Sequence, residues 1–128
     1  MKLGASTIPH KEQVLTTAVL ESFAAAGVES LELSDFHPNF EFDDADFTSF
    51  LQRSMRDLGL HLNSIHIHLK HREDSCDLAT LDRQRRDQSL TDHYRAVDMA
   101  AALGGCILVR HDIVIPEPED ADGVVTST

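Results

Sequence analysis

The stretch Leu58-Gly59-Leu60-His61-Leu62-Asn63-Ser64-Ile65-His66-Ile67-His68-Leu69 joins the end of a helical pattern to a strand, and its reading decides the fold class. Gly59 supplies the left-handed backbone conformation that ends a helix at little cost. The run from Leu62 to Leu69 then alternates as a strand does. Ile65, Ile67 and Leu69 share one face, while Ser64, His66 and His68 share the other. The apolar face is expected to lie under helices, and the histidine face to line the second side of the sheet, near the carboxyl end where α/β ligands sit.

The same unit, helix then glycine then short β-rich run, recurs on both sides of this stretch. Upstream, a helix is predicted over 11–26 with Leu15, Val19 and Phe23 on its inner face, ended by Gly27 and followed by Glu29-Ser30-Leu31-Glu32-Leu33-Ser34. The helix before Gly59 is predicted from Phe47, capped by Asp46, with Phe50, Leu51, Met55 and Leu58 facing inward. Downstream, a helix over 83–103 carries Leu90, Tyr94, Val97 and Ala101 on one stripe, stops at Gly104-Gly105, and leads into Cys106-Ile107-Leu108-Val109-Arg110-His111. With Lys2 to Ile8 as an opening strand, the order is βαβαβαβ. The fold class is α/β, a parallel (β/α) repeat of about four strand–helix units forming a partial TIM barrel, because helical crossovers join neighbouring parallel strands. The third unit is the longest, its extra residues falling in 70–81 after a strand. Such loops form the active-site face of a barrel, so this one is expected to shape a pocket, a neutral surface insertion being the alternative.

The 128 residues, 41% hydrophobic and 26% charged, are enough for one folded domain with a real core. Residues 1–112 are assigned to the barrel portion and 113–128 to an acidic tail or linker, on the strength of Glu117-Pro118-Glu119-Asp120-Ala121-Asp122-Gly123. The net charge of −11 disfavours nucleic acid as a partner. Cys76 and Cys106 form no disulfide framework or metal spacing, and no segment has the length of a leader or membrane span. A cytoplasmic protein that does not engage a membrane is expected.

Three successive strands end in titratable side chains. Glu32 interrupts an apolar run, and a carboxylate there is costly to bury unless it is paired or hydrogen-bonded. Arg110 is one candidate partner; alternatively it grips an anionic group of a substrate. His66 and His111, on adjacent strands, are candidates for sharing a divalent metal or a sugar hydroxyl, since neutral imidazole serves both as ligand and as acid or base. His68 is a further substrate-side candidate, and each histidine has a packing role as its alternative.

Several segments carry a family likeness: Lys2-Leu3-Gly4-Ala5-Ser6-Thr7-Ile8-Pro9, Gly27-Val28-Glu29-Ser30-Leu31-Glu32-Leu33, Asp57-Leu58-Gly59-Leu60, Ser64-Ile65-His66, Asp77-Leu78-Ala79-Thr80-Leu81-Asp82 with Arg86, and Ala96 to Gly105 leading to Val109-Arg110-His111. In this order the chain resembles the sugar phosphate isomerase and epimerase family of xylose isomerase-like barrels. The resemblance implies an eight-stranded barrel with a divalent cation (manganese, magnesium, cobalt or zinc) at its open end, held mainly by strands five to eight. It implies a small sugar or sugar phosphate as substrate and proton transfer next to a carbonyl as chemistry. Glu32 matches the second-strand acid, and His66 and His111 match positions that touch substrate in isomerases and bind metal in the related apurinic-site endonucleases. The sequence ends soon after its fourth strand, so the ligands and acid–base pair of the later strands have no counterpart, and this segment alone is expected to be inactive and to hold no complete metal site. A second copy or a C-terminal half is expected to cover the inward face. The alternatives are a metal phosphodiesterase of the apurinic-site endonuclease kind and a non-catalytic half-barrel interaction module.

Overall fold

The computed structural model describes residues 1–68, 78, 80–105 and 107–110. Four strands alternate with three helices: β1 Gly4–Ser6, α1 Thr17–Ala25, β2 Ser30–Ser34, α2 Ala45–Leu58, β3 His61–Ile67, α3 Arg83–Ala102 and β4 Leu108–Arg110. The strands form one sheet in the order β1-β2-β3-β4, every neighbouring pair parallel. This is the α/β repeat expected, a partial TIM-barrel-like unit. No helix among the described residues is long and apolar enough to cross a membrane.

The helices start and stop where local chemistry satisfies their end groups. Asp44, not Asp46, caps α2, its carboxylate accepting from the backbone N–H groups of Asp46 at 2.9 Å and Phe47 at 3.0 Å. Gly59 ends the helix with φ +67°, and Gly104 follows α3 with φ +78°. Helix α1 is shorter than the sequence pattern suggests. Thr16 caps it, and Leu15 lies before it, buried, with its N–H donating to Asn39 Oδ1 at 2.8 Å and its carbonyl accepting from Asn39 Nδ2 at 3.0 Å. Those side-chain bonds satisfy Leu15's backbone outside a helix.

The core lies between sheet and helices. Leu20 of α1, Leu31 and Leu33 of β2, Leu51 and Met55 of α2 and Ile65 of β3 are all buried in one cluster; each such side chain contributes about 1.5–3 kcal/mol by leaving water. The loop from β2 to α2 closes the cluster with Phe40, whose ring meets those of Phe42 and Phe47 edge-on at 5.2 and 5.1 Å. His37, also buried, ties the loop back by donating from Nδ1 to Gln13 O at 2.9 Å.

Helix α3 departs from the sequence reading. Its buried residues are Ser89, Asp92, Ala96, Met99 and Ala100, whereas Leu90, Tyr94 and Val97 are exposed, Tyr94 to 66%. Small side chains at 96 and 100 let the helix lie close to β3, where Ala96 packs with Ile67. Asp92 is tolerated inside because Gln88 Nε2 and Arg95 Nη1 donate to it.

Candidate functional site

Strand register decides which side chains meet at the carboxyl end of the sheet. Ser6 pairs with Glu32 and Glu32 with Ser64; one step further, Ser34 pairs with His66 and His66 with Val109. A register shift interrupts this ladder: Leu31 pairs with Leu62, but Glu32 pairs with Ser64, so Asn63 is an extra residue in β3. Alternation through a regular strand would put Leu62 on the face of Ser64 and His66. The extra residue turns Leu62 toward the core while Ser64 and His66 keep the opposite face.

Glu32 sits in a hydrogen-bonded row across three strands. Its Oε1 accepts from Ser6 Oγ at 2.9 Å and its Oε2 from Ser64 Oγ at 3.2 Å. His66 Nδ1 lies 3.5 Å from Oε1, with both side chains largely withdrawn from solvent. The carboxylate thus has partners of the kind its burial demands.

A second carboxylate–imidazole pair stands beside the first. Asp35, the residue after β2, is 3% exposed. Its N–H donates to His66 O at 3.3 Å, extending the β2–β3 ladder by one step. Both its carboxylate oxygens accept from the backbone N–H of His68, at 3.0 and 2.9 Å, and Oδ1 also accepts from His68 Nδ1 at 3.0 Å. The His68 ring is stacked on that of His66 at 4.3 Å between centroids and lies against Phe36 at 3.8 Å, over which the Lys11 ammonium sits at 5.6 Å. In each neutral ring a hydrogen on Nδ1 directed at a carboxylate leaves Nε2 as the acceptor nitrogen. Two oriented imidazoles of this kind can bind hydroxyls or carry protons.

The structure brings Glu32, His66 and His68 together and takes Arg110 elsewhere. Arg110 pairs with Ile67, whose side chain packs under α3, and the guanidinium accordingly meets His93 Nε2 on that helix. His93 Nδ1 in turn donates to Ser89 O at 2.5 Å. Among the described residues, Glu32 is partnered by Ser6, Ser64 and His66, not by Arg110. His111, the other metal candidate, lies outside the described residues, as do most of 70–81 and all of 113–128. Asp35 was missed by sequence reasoning; its signal is an acid placed directly after a strand.

A stable protein site for a divalent cation needs at least three ligands in a common shell. Among the described residues no group of three or more His, Cys, Asp or Glu side chains is arranged to hold a metal ion. His66 and His68 direct their Nδ1 atoms at carboxylates, the orientation that keeps the lone pair on Nε2. The described residues by themselves do not complete a metal site.

Solved structures share this arrangement of strands and helices. The chain is 20% identical to a D-psicose 3-epimerase solved in the presence of D-fructose, with a TM-score of 0.66, covering 86% of this chain and 37% of the epimerase. The fold is a partial TIM-barrel-like unit, similar to part of a xylose isomerase-like TIM barrel. That name is carried by a fusion of such a barrel with 4-hydroxyphenylpyruvate dioxygenase, 19% identical with a TM-score of 0.62, covering 97% of this chain and 18% of the fusion. The probable 3-DHS dehydratase AsbF of Bacillus anthracis, involved in petrobactin synthesis, is 17% identical with a TM-score of 0.62, covering 86% of this chain and 38% of that one. The chain thus spans well under half the length of each of these proteins. No protein-family model matches the sequence, and no curated protein matches it. In the partial barrel, the two carboxylate–imidazole pairs occupy the carboxyl ends of β2 and β3, the end at which barrel enzymes work.

Proposed function

We propose that the chain is the N-terminal portion of a metal-dependent sugar or sugar phosphate isomerase or epimerase that moves a proton next to a carbonyl. The observation that supports this reading most is the adjacency of Glu32–His66 and Asp35–His68 at the carboxyl end of a sheet whose fold is shared with an epimerase solved with a ketose. Sugars present rows of hydroxyls, and paired imidazoles backed by carboxylates suit their recognition and proton exchange. In this reading His66 and His68 act on the substrate side, and the cation belongs to residues beyond those described. The phosphodiesterase alternative is disfavoured by the net charge of −11, which opposes a nucleic-acid substrate.

The test is proton exchange. The protein expressed from its complete reading frame is incubated with manganese and a panel of ketoses and their phosphates in deuterated water, and carbon-bound deuterium is read by NMR. Incorporation next to the carbonyl, lowered by His66→Ala, is expected. No incorporation with any ketose, together with no change of the His66 and His68 signals on adding sugar, overturns the reading.

Strands β1 and β4 are the outer strands of the described sheet, each with one neighbour. We propose that further strand–helix units or a second copy of the chain complete the sheet, since open edges favour association. Sedimentation equilibrium of the 128-residue chain decides this: a stable, cooperatively folding monomer at all concentrations contradicts the need for a partner.

A further inference from the structure

We infer that Asp35 is a positioning residue, one that fixes the tautomer and ring plane of His68, with the hydrogen on Nδ1 and the lone pair on Nε2. This deepens the proposed function and rests on it only for the role given to His68.

The geometry separates Asp35 from an ordinary strand-end acid. A carboxylate serving only to finish the β2–β3 ladder needs one bond, from the His68 backbone N–H. Asp35 makes that bond with both oxygens and directs Oδ1 at the ring as well, so one rigid group holds backbone and imidazole of the same residue. Its own N–H is bound to His66 O, so the carboxylate cannot drift relative to the sheet. Burial to 3% removes the water that would otherwise compete for the ring hydrogen. Phe36, the next residue, holds the ring from one side and His66 stacks on it as well. A carboxylate can only accept, so the hydrogen of the neutral ring is drawn to Nδ1. Imidazole in water favours a hydrogen on Nε2, and the site reverses that preference.

The second pair is built more loosely. His66 Nδ1 is 3.5 Å from Glu32, beyond a good hydrogen bond, and Glu32 divides its oxygens between two serine hydroxyls. Among the described residues, the carboxylate contact is therefore tighter at His68 than at His66. Of the two carboxylate–imidazole contacts, the one to His68 is thus the one within hydrogen-bond distance.

The test is spectroscopic and does not need turnover. Two-bond proton–nitrogen correlation spectra of the full 15N-labelled chain distinguish the two tautomers, and the signal lost in His68→Gln identifies the residue. The neutral wild-type ring is expected as the Nδ1–H tautomer, and Asp35→Ala is expected to move it toward Nε2–H. A wild-type Nε2–H ring, or a tautomer unchanged by removing the carboxylate, overturns the proposal. Should Asp35→Ala fail to fold by circular dichroism, Asp35→Asn, which retains an acceptor for the backbone N–H, takes its place in the exchange assay on the complete protein. There kcat is expected to fall on the order of 100-fold, the low end of what a positioned base contributes, with KM within about threefold. A KM effect with kcat unchanged overturns the positioning role. Absence of ketose exchange alongside the expected tautomers removes the proposed function and leaves the assignment of Asp35 standing.

Discussion

Replacing Gly105 by alanine probes the irregularity that sorts the two faces of β3. A Cβ at position 105 would stand 2.4 Å from Leu62 Cδ2, 3.0 Å from Leu62 Cγ and 3.4 Å from Ala100 O. Leu62 is there because the extra residue Asn63 turns it toward the core. Overpacking of this kind costs roughly 1–3 kcal/mol, the lower end applying if the leucine tip can swing aside. Leu62→Ala, at a partly buried site, is expected to cost about 1–2 kcal/mol, less than a fully buried truncation. In the double variant the clash is gone and only the ordinary contact with the Ala100 carbonyl remains. Gly105→Ala should then be nearly neutral, or stabilising by up to about 1 kcal/mol through a stiffer unfolded chain. The coupling energy is therefore expected to be about 1–3 kcal/mol in favour of the double variant, read from urea melts followed by circular dichroism. Equal costs of Gly105→Ala in both backgrounds would refute the placement of Leu62, and with it the account of how Ser64 and His66 come to face the other way.

Other substitutions test the remaining placements. Tyr94→Ser and Val97→Ser should each change stability by less than about 0.5 kcal/mol, while Ala96→Leu should cost about 1–3 kcal/mol, reversing what the apolar stripe in the sequence suggests; thermal melts of the three variants settle the face of α3. Asn39→Ala leaves both backbone groups of Leu15 without their side-chain partner and should cost about 1–3 kcal/mol in a urea melt. Asp44→Ala removes the cap of α2 at about 1 kcal/mol, whereas Asp46→Ala should cost less, which chemical denaturation of the pair resolves.

Much of the architecture was legible because it depends on local rules. The glycines at 27, 59 and 104 all have positive φ and mark the ends of helical segments, and the alternation of isoleucine with serine and histidine in β3 separates core from site. Where the sequence misled, a tertiary fit outranked a local pattern. Leu90, Tyr94, Val97 and Ala101 make a plausible inner stripe, yet α3 buries Ser89, Asp92, Ala96, Met99 and Ala100, with Ala96 packed on Ile67 of β3. Leu15 belongs to the helical pattern and to the core, but not to the helix, since Asn39, 24 residues away, supplies its bonds. Arg110 follows the parity of Ile67 rather than that of the histidines, and so faces α3.

The site shows the same division at finer grain. Glu32 and His66 could be read from one strand each, because both stand out against apolar neighbours on the opposite face. Asp35 could not, since it lies one residue past the end of β2 and acquires its meaning only from His68, 33 residues later, at the end of the next strand. Parallel pairing brings these two strand ends together without any local signal. The bulge at Asn63 then sets the phase of β3, and with it the faces of both histidines. A regular strand keeping Leu62 in the core would place His66 and His68 on the helix side, leaving Glu32 and Asp35 without their imidazoles. The chemistry proposed for the barrel mouth thus depends on one extra residue, whose own side chain takes no part in either pair.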